Sequence, residues 1–469
     1  MKAPIDKLLF SVMLAAACSG VAHAAQLPLQ RAKLLLPPCD SWQSGQVYTA
    51  GQYVLHSNQA WRAKWWTRNE APGGNAVWEA RPAGECTPGN GGGEGGSVPT
   101  RAQVRADEQA KTASAVFQSV RASVRTLDNA SVEAVRPGRS DNPANVRRVE
   151  RILAATDWEV LFPQRHASYS YANFLQAIAK FPAVCGDQAG GRDADAICRK
   201  TLATQFAHFA QETGAHDPSS AIPQWRQGLY YLREAGCSED GAACTYNAEC
   251  APGTWQGQTW PCGKQADGSW KKYFGRGAKQ LSYNYNYGPF SDAMYGTVRT
   301  LLDNPERVAD SWLNLASAVF FFVYPQPPKP SMLHIVDGSW QANAADRAAG
   351  ISAGYGATIH IINGGIECGH GYDKPQALNR IAYYREMAAY LGVPIAAGEV
   401  LNCAGMQPFP AAGAGALQIY WEQDWSWGSN WPDGRSYACK LVGYQTPYSA
   451  LKAGDYEKCV EKYFDIVLQ

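Results

Sequence analysis

Residues 87–99 read TPGNGGGEGGSVP, six glycines in thirteen positions. Such a run has almost no side chains with which to build a core and loses much backbone entropy on ordering. It is expected to behave as a flexible tether spanning roughly 20 Å. The chain is therefore two folding problems, a short aromatic segment before the tether and a long segment after it. With 469 residues in all, the long segment has ample length for a sizeable core. Hydrophobic residues make up 46% and charged residues 18%, which excludes a disordered chain. Lys plus Arg is 42 against 41 for Asp plus Glu. That balance leaves no basic footprint for nucleic acid and no basic stretch for a membrane surface. The 16 Trp and 24 Tyr suit a partner that is neutral and flat-faced, as sugars are.

Residues 1–24 read as a signal peptide: Lys2 and Lys7, an apolar run over 8–18, then Ala22-His23-Ala24. The run is too short to span a bilayer. Lipid attachment at Cys18 is the alternative, weakened by Ala15 where a lipobox prefers Leu. The expected location is therefore secreted and extracellular. Removing Cys18 with this segment leaves an even number of cysteines, which favours disulfides over zinc in an exported chain. There is no Cys-x-x-Cys and no His-Glu-x-x-His, so no metal site is expected. Proximity in sequence pairs Cys39–Cys86, Cys185–Cys198, Cys237–Cys244, Cys250–Cys262, Cys368–Cys403 and Cys439–Cys459, although spacing alone leaves the connectivity open.

The chain divides into a signal peptide (1–24), a small β-module (37–86), a linker (87–100), a helical extension (101–145), a main domain (146–410) and a Trp-rich tail (411–469). In 101–135, Val116, Val120, Val124 and Leu127 share a helical face, which predicts an amphipathic helix packed on the next domain. The run Phe320-Phe-Phe322 reads as buried helix. The tail holds Trp421, Trp425, Trp427 and Trp431, for which packing is favoured over a sugar platform.

Short alternating runs at 47–53, 59–67 and 76–78 predict the β-module. A strand continuing from Gln59 sets Ala60, Arg62, Lys64 and Trp66 opposite Trp61, Ala63 and Trp65. About 50 residues cannot bury all five Trp. Trp42, Gly45, Tyr48, Gly51, Val54, Trp61, Ala63-Lys64-Trp65-Trp66-Thr67, Pro72 and Trp78 resemble the chitin-binding modules of carbohydrate-binding families 5 and 12. The resemblance implies that Trp65 and Trp66 lie on chitin while Trp78 is core. Arg68 departs from the family pattern and bears on sugar preference.

In the long segment, 202–213 reads as a helix with Leu202, Phe206, Phe209, Ala210 and Thr213 on one stripe and Glu212 beside it. A carboxylate at the edge of an apolar face is partly desolvated, which raises its pKa and suits a general acid. Glu234 follows after a loop, so the two carboxylates can face each other across a groove. The run from Tyr273 to Gly288 is dense in amides, hydroxyls and rings, the mixture that a neutral polysaccharide cleft needs.

The pieces Phe162-Pro-Gln-Arg165, Phe206-Ala-His-Phe-Ala-Gln-Glu212-Thr-Gly, Arg233-Glu234, Trp260-Pro-Cys262, Tyr273-Phe-Gly-Arg-Gly277, Gln280-Leu-Ser282-Tyr-Asn-Tyr-Asn286, Ile361-Ile-Asn-Gly-Gly-Ile-Glu-Cys368 and Asn379-Arg-Ile381 occur in order. Over roughly 157–410 the chain resembles glycoside hydrolase family 19, the plant-type and bacterial chitinases. The resemblance implies a mainly α (α+β), lysozyme-like catalytic domain beside the small all-β carbohydrate-binding module. It implies a secreted endo-chitinase acting on chitin and chitooligosaccharides as a monomer, with no cofactor.

The same resemblance implies roles. Glu212 would be the general acid, Glu234 the general base, and Ser282 would help to hold the attacking water. Gln280, Asn286 and Asn363 would bond the N-acetylglucosamine units, Trp260 and Tyr285 would line the cleft, and Glu367 with Arg380 would support the base. The implied reaction is single displacement with inversion, which needs the carboxyls about 6.5–9.5 Å apart. Gln211 replaces a His common in the family, Tyr230 replaces a plant-type Cys, and 235–269 is long. A peptidoglycan hydrolase and a non-catalytic chitin-binding lectin are the competing readings.

Overall fold

The computed structural model describes residues 38–42, 47–57, 59–82, 87–88, 99–417, 448–464 and 466–469. The chain forms two compact units, Met1–Gly96 and Ser97–Gln469.

In the first unit the strands are β1 (Pro38–Ser41), β2 (Val47–Tyr48), β3 (Tyr53–His56), β4 (Gln59–Ala63), β5 (Thr67–Arg68), β6 (Trp78–Arg81) and β7 (Thr87–Pro88). They make a five-stranded sheet in the order β6-β4-β3-β1-β7 and a β2-β5 ladder. β3 and β4 pair antiparallel with Val54 opposite Trp61, while β1 and β3 run parallel. The core is small: Tyr48, Val54, Ala63, Val77 and Trp78, with Trp42 and Trp61 against it. The Trp78 indole meets Tyr48 edge-on at 5.3 Å and donates to the Glu70 carbonyl at 2.8 Å, so its one polar atom is satisfied where it is buried. The alternation expected through Trp66 stops early. β4 ends at Ala63, and Lys64 donates its backbone N–H to Val77 at 2.9 Å, turning the chain toward β5. Without strand alternation, both Trp65 and Trp66 face solvent, 51% and 60% exposed.

The second unit is helical. Its leading part is not one helix but three, α1 (Arg101–Thr112), α2 (Ala115–Ser123) and α3 (Asn129–Ala134). The breaks have local causes: the Ser114 and Asp128 side chains each accept a backbone N–H three residues on and start a new helix. Val116, in the first turn of α2, is exposed, while Val120 and Val124 are buried. Then come α4 (Ala144–Ile152), α5 (Ala155–Leu161), α6 (Tyr171–Lys180), α7 (Ala194–Thr213), α8 (Trp255–Thr259), α9 (Asn284–Tyr295), α10 (Arg299–Asp303), α11 (Leu313–Val323), α12 (Met332–Val336), α13 (Ala344–Ala348), α14 (Tyr355–Glu367), α15 (Pro375–Tyr390) and α16 (Asp455–Phe464).

The centre is α7, packed against α4, α11, α12 and α15. The stripe expected for 202–213 underestimates it, because every residue from Thr201 to Ala210 is buried, as befits a helix with neighbours on all sides. Phe206 joins Trp158, Phe162 and Phe174 in an aromatic cluster, with Trp158 stacked on Phe174 at 4.7 Å. The Phe320 run lies in α11, buried along its whole length. Cys185–Cys198, Cys237–Cys244, Cys250–Cys262 and Cys368–Cys403 are disulfides as paired above. Cys86, Cys439, residues 1–24, the four tail Trp and most of the glycine-rich run lie outside the described residues. Among the described residues no helix is long and apolar enough to cross a membrane.

A second apolar cluster joins the two ends of this unit. Val104, Phe117, Val120 and Val124 pack with Leu451, Tyr456, Val460 and Leu468. Arg101 bonds both Glu457 and Glu461, at 3.0 and 2.9 Å, and its backbone N–H donates to the Gln469 carbonyl at 2.8 Å. Phe117→Ala leaves a hole in this cluster and is expected to weaken it by about 3 kcal/mol or more. Hydrogen exchange should then rise in α16 and not in α7; equal rises in both would show that the ends are not a separate cohesive element.

Candidate functional site

Glu212 sits in the last turn of α7, where the aligned peptide carbonyls disfavour a negative charge. Its side chain is nearly buried, and two cations compensate. The Lys279 ammonium approaches Oε2 at 3.1 Å, and the Arg380 guanidinium bonds Oε1. Burial pushes this carboxyl's pKa up, but Lys279 and Arg380 together outweigh it, so the net shift is downward. The reading from the helix alone, a raised pKa, is corrected: desolvation is present, but two cations from elsewhere in the fold overrule it.

Arg380 on α15 is buried and fully engaged. It bonds both oxygens of Glu367 on α14, Nε at 3.2 and 3.0 Å and Nη2 at 2.9 Å. Its Nη1 donates to His208 Nδ1 at 3.2 Å. Because that nitrogen accepts, the ring proton lies on Nε2 and is donated to Thr358 Oγ1 at 3.0 Å, whose own hydroxyl goes to the Tyr355 carbonyl. Burial, with Arg380 and Lys279 nearby, holds His208 well below the usual imidazole pKa, so it stays neutral. Asn363, at a non-helical kink in α14, donates to Glu367 Oε1 at 2.8 Å. The expectation that Glu367 and Arg380 support Glu234 is corrected, because Arg380 reaches Glu212.

Glu234 is held by other means. Its backbone N–H donates to Gly275 at 2.8 Å, and Gly275 returns its own N–H to Glu234 Oε2 at 3.0 Å. The Tyr246 hydroxyl donates to Oε1 at 2.7 Å. The segment before Glu234 is stitched to the end of α7, since Leu229 donates to Thr213 Oγ1 at 2.8 Å and Tyr230 to the Thr213 carbonyl at 3.0 Å. Cys237 and Cys244 also lie near Glu234, but their sulfurs are bonded to each other and offer no thiolate to a metal.

Residues 275–282 tie the two carboxylates together: Gly275 bonds Glu234, and Lys279 bonds Glu212. The loop is braced from inside by Arg276. This buried side chain bonds Glu239 at 2.6 Å, the Tyr287 hydroxyl at 2.8 Å and the carbonyls of Lys272 and Phe274. A Cβ at Gly275 would lie 2.8 Å from Gln280 Oε1 and 3.3 Å from Glu234 Oε2, so only glycine lets those groups come so close. Gln280 and Tyr283 both have positive φ, +53° and +69°, a strain of about 1–3 kcal/mol each for side chains of this kind. Ser282 donates to the Gln280 carbonyl at 3.0 Å, and Asn286 to the Ser282 carbonyl at 2.9 Å.

The structure thus gathers Glu212, Glu234, Gln280, Ser282, Asn286, Asn363, Glu367 and Arg380. Tyr285 joins through rings: it stacks on Tyr283 at 5.2 Å, and Tyr283 meets Tyr246 edge-on at 5.0 Å. Trp260 does not join. It is only 3% exposed and packs beneath Gly288 of α9, where a Cβ would fall 2.4 Å from its ring. What it does expose borders a different cavity, with Lys180, Pro289 and Tyr324. Sequence reasoning missed Lys279, Tyr246, Tyr283 and His208. Lys279 alone had a readable signal, as a cation directly beside Gln280 in a run whose one other charge is Arg276.

Lys279→Met removes one cation from Glu212 and should raise its pKa. Any limb of the pH–activity profile set by Glu212 should then move to higher pH. The stability that ionised Glu212 contributes is present above the ordinary carboxylate range and lost as pH falls through its lowered pKa; that loss should begin at higher pH in Lys279→Met. An unmoved profile together with an unmoved acid unfolding curve would show that Lys279 does not set the charge of Glu212.

The comparisons with known proteins follow this geometry. A family model described as chitinase class I matches residues 154–403, and one described as carbohydrate-binding module family 5/12 matches residues 41–79. Endochitinase 3 of Solanum tuberosum is 39% identical over 243 residues, 51% of this chain and 67% of that protein. An endochitinase of Carica papaya is 33% identical over 269 residues, 56% of this chain and 99% of its own length. The crystal structure of a bacterial family 19 chitinase superposes with a TM-score of 0.38 at 25% identity, covering 54% of this chain and all of that one. With the family model matching more than half of its length, the chain belongs to glycoside hydrolase family 19 and carries a family 5/12 carbohydrate-binding module.

Proposed function

We propose that the protein hydrolyses the β-1,4 bonds of chitin by single displacement with inversion, Glu212 acting as general acid and Glu234 as general base. The observation that carries this reading is the 275–282 loop, which holds both carboxylates from one rigid element. Two carboxyl groups flanking one glycosidic bond are what a glycoside hydrolase requires, and the family 19 match supports the inverting course.

Glu234, oriented by Tyr246 and Gly275, takes a proton from a water that attacks the anomeric carbon. As the new C–O bond forms, the bond to the leaving sugar breaks and Glu212 protonates the glycosidic oxygen. Each carboxyl then returns to its starting state by exchange with solvent. Glu212 is paired with Lys279 and Arg380, so it must take up a proton before it can act as the acid. A bound sugar promotes this by stripping the remaining water from the carboxylate. Ser282 positions the water, and Gln280, Asn286 and Asn363 bond the ring substituents.

Trp65 and Trp66, exposed side by side, suit the flat faces of successive sugars in solid chitin. Attaching such a module raises the local concentration of catalyst on an insoluble polymer without adding a catalytic contact. The disulfides of the second unit fit an oxidising, extracellular setting.

Glu212→Gln and Glu234→Gln should each lower hydrolysis of a soluble N-acetylglucosamine hexamer by at least about 100-fold while leaving its binding in place. The unsubstituted protein should release fresh α-anomer, read by anomer-resolved chromatography. Fresh β-anomer would sink the inverting mechanism, and an intact hexamer would sink the hydrolytic reading. Trp65→Ala with Trp66→Ala should slow attack on solid chitin far more than on the hexamer; equal slowing on both would argue against an anchoring role.

A further inference from the structure

One aromatic residue stands outside the site as described. Trp255 is 53% exposed, at the start of the short helix α8, within the long 235–269 segment. Half-exposed indoles are common on protein surfaces, and exposure alone says little. What distinguishes Trp255 is how firmly its backbone is held and where its ring leads.

The holding is unusually complete for a surface loop. The Cys250–Cys262 disulfide closes the loop that carries α8. Thr254 caps the helix, its Oγ1 accepting from Gly257 at 2.9 Å and donating to the Glu249 carbonyl at 2.7 Å. The buried Asn284 side chain reaches across from α9 and donates to the carbonyls of Gln256 at 3.1 Å and Trp260 at 2.9 Å. Gly257 packs so tightly that a Cβ would lie 2.4 Å from the Ala251 carbonyl. Such bracing fixes the backbone from which the indole projects and lowers the entropy cost of ordering it when a ligand arrives.

The direction is toward the catalytic carboxylates. The Trp255 ring lies 6.0 Å from Tyr285, tilted by 39°. Tyr285 stacks on Tyr283 at 5.2 Å and 11°, and Tyr283 meets Tyr246, whose hydroxyl bonds Glu234. A continuous row of rings therefore runs from the proposed base to an exposed indole. Flat apolar faces in series, next to a polar cleft, match a polymer of neutral pyranose rings.

We propose that Trp255 is an additional sugar-binding platform that extends the cleft past Tyr285, so that long N-acetylglucosamine chains are held more tightly than short ones. The inference rests on the reading of Glu212 and Glu234 given above, and it assigns substrate-length preference to a residue of the 250–262 disulfide loop. Trp255 touches sugar remote from the bond that breaks, so it contributes binding rather than chemistry.

The test compares the full chain with Trp255→Ala and Trp255→Phe on soluble N-acetylglucosamine tetramer and hexamer. For Trp255→Ala, KM for the hexamer should rise about tenfold, the worth of one ring stacked on a sugar, with kcat unchanged. The tetramer should be cut as before, and Trp255→Phe should recover most of the loss. Unchanged hexamer KM in Trp255→Ala overturns the platform, as does an equal loss on both lengths, which would mean general damage to the cleft. If the unsubstituted chain leaves the hexamer intact, the hydrolytic reading is what has failed. Calorimetry of hexamer binding to the same proteins then decides the platform separately, and equal affinity with and without the indole overturns it.

Discussion

Arg380 is the charge around which the site is arranged. A guanidinium taken out of water costs several kcal/mol unless its donors are used, and here Glu212, Glu367 and His208 use them. The partners come from α7 and α14 while Arg380 itself is on α15, so the ion cluster also pins these three helices in one relative placement. His208 serves as an acceptor toward Arg380 because it is neutral, and it is neutral first because it is buried and then because the guanidinium and the Lys279 ammonium lie nearby. Removing any member would leave another buried polar group unpaired, which is why the cluster acts as a unit rather than as a set of separable contacts.

The opposite carboxylate is built in another way. Among the described residues no cation pairs with Glu234; a tyrosine hydroxyl and a backbone N–H bond its oxygens. One carboxylate is thus set in a field of charge and the other in a frame of neutral donors. Two chemically identical side chains with different surroundings are how a single cleft assigns different proton-transfer duties. The strained backbone at Gln280 and Tyr283 belongs to the same economy of space, since it lets one short loop serve both sides.

Much of this was legible in the sequence and some was not, for reasons that differ by residue. The helical class and the β-module follow from patterning, which is local, and the four disulfides are those that proximity in sequence favoured without fixing. The charge on Glu212 is not local: Lys279 is 67 residues away along the chain and Arg380 is 168. No property of α7 announces either. Trp255 and Trp260 are the same residue type five positions apart, and only the packing of α9 against the disulfide loop decides which is core and which is surface. In the β-module, Trp65 and Trp66 were expected on opposite faces because alternation was extended past Ala63, where the ladder in fact ends.

The cluster that joins α1 and α2 to α16 bears on how the chain reaches its fold. Arg101 and Glu457 are 356 residues apart, so this contact closes a very long loop. A chain emerging from its N-terminus exposes the apolar faces of α1 and α2 long before α16 exists to cover them. Contacts of such separation form late and slow the approach to the native state. During that interval the leading helices are the part of the molecule most open to wrong partners, including a neighbouring copy's α16. The final docking of the two ends is then the step that turns an assembled but open catalytic unit into a closed one.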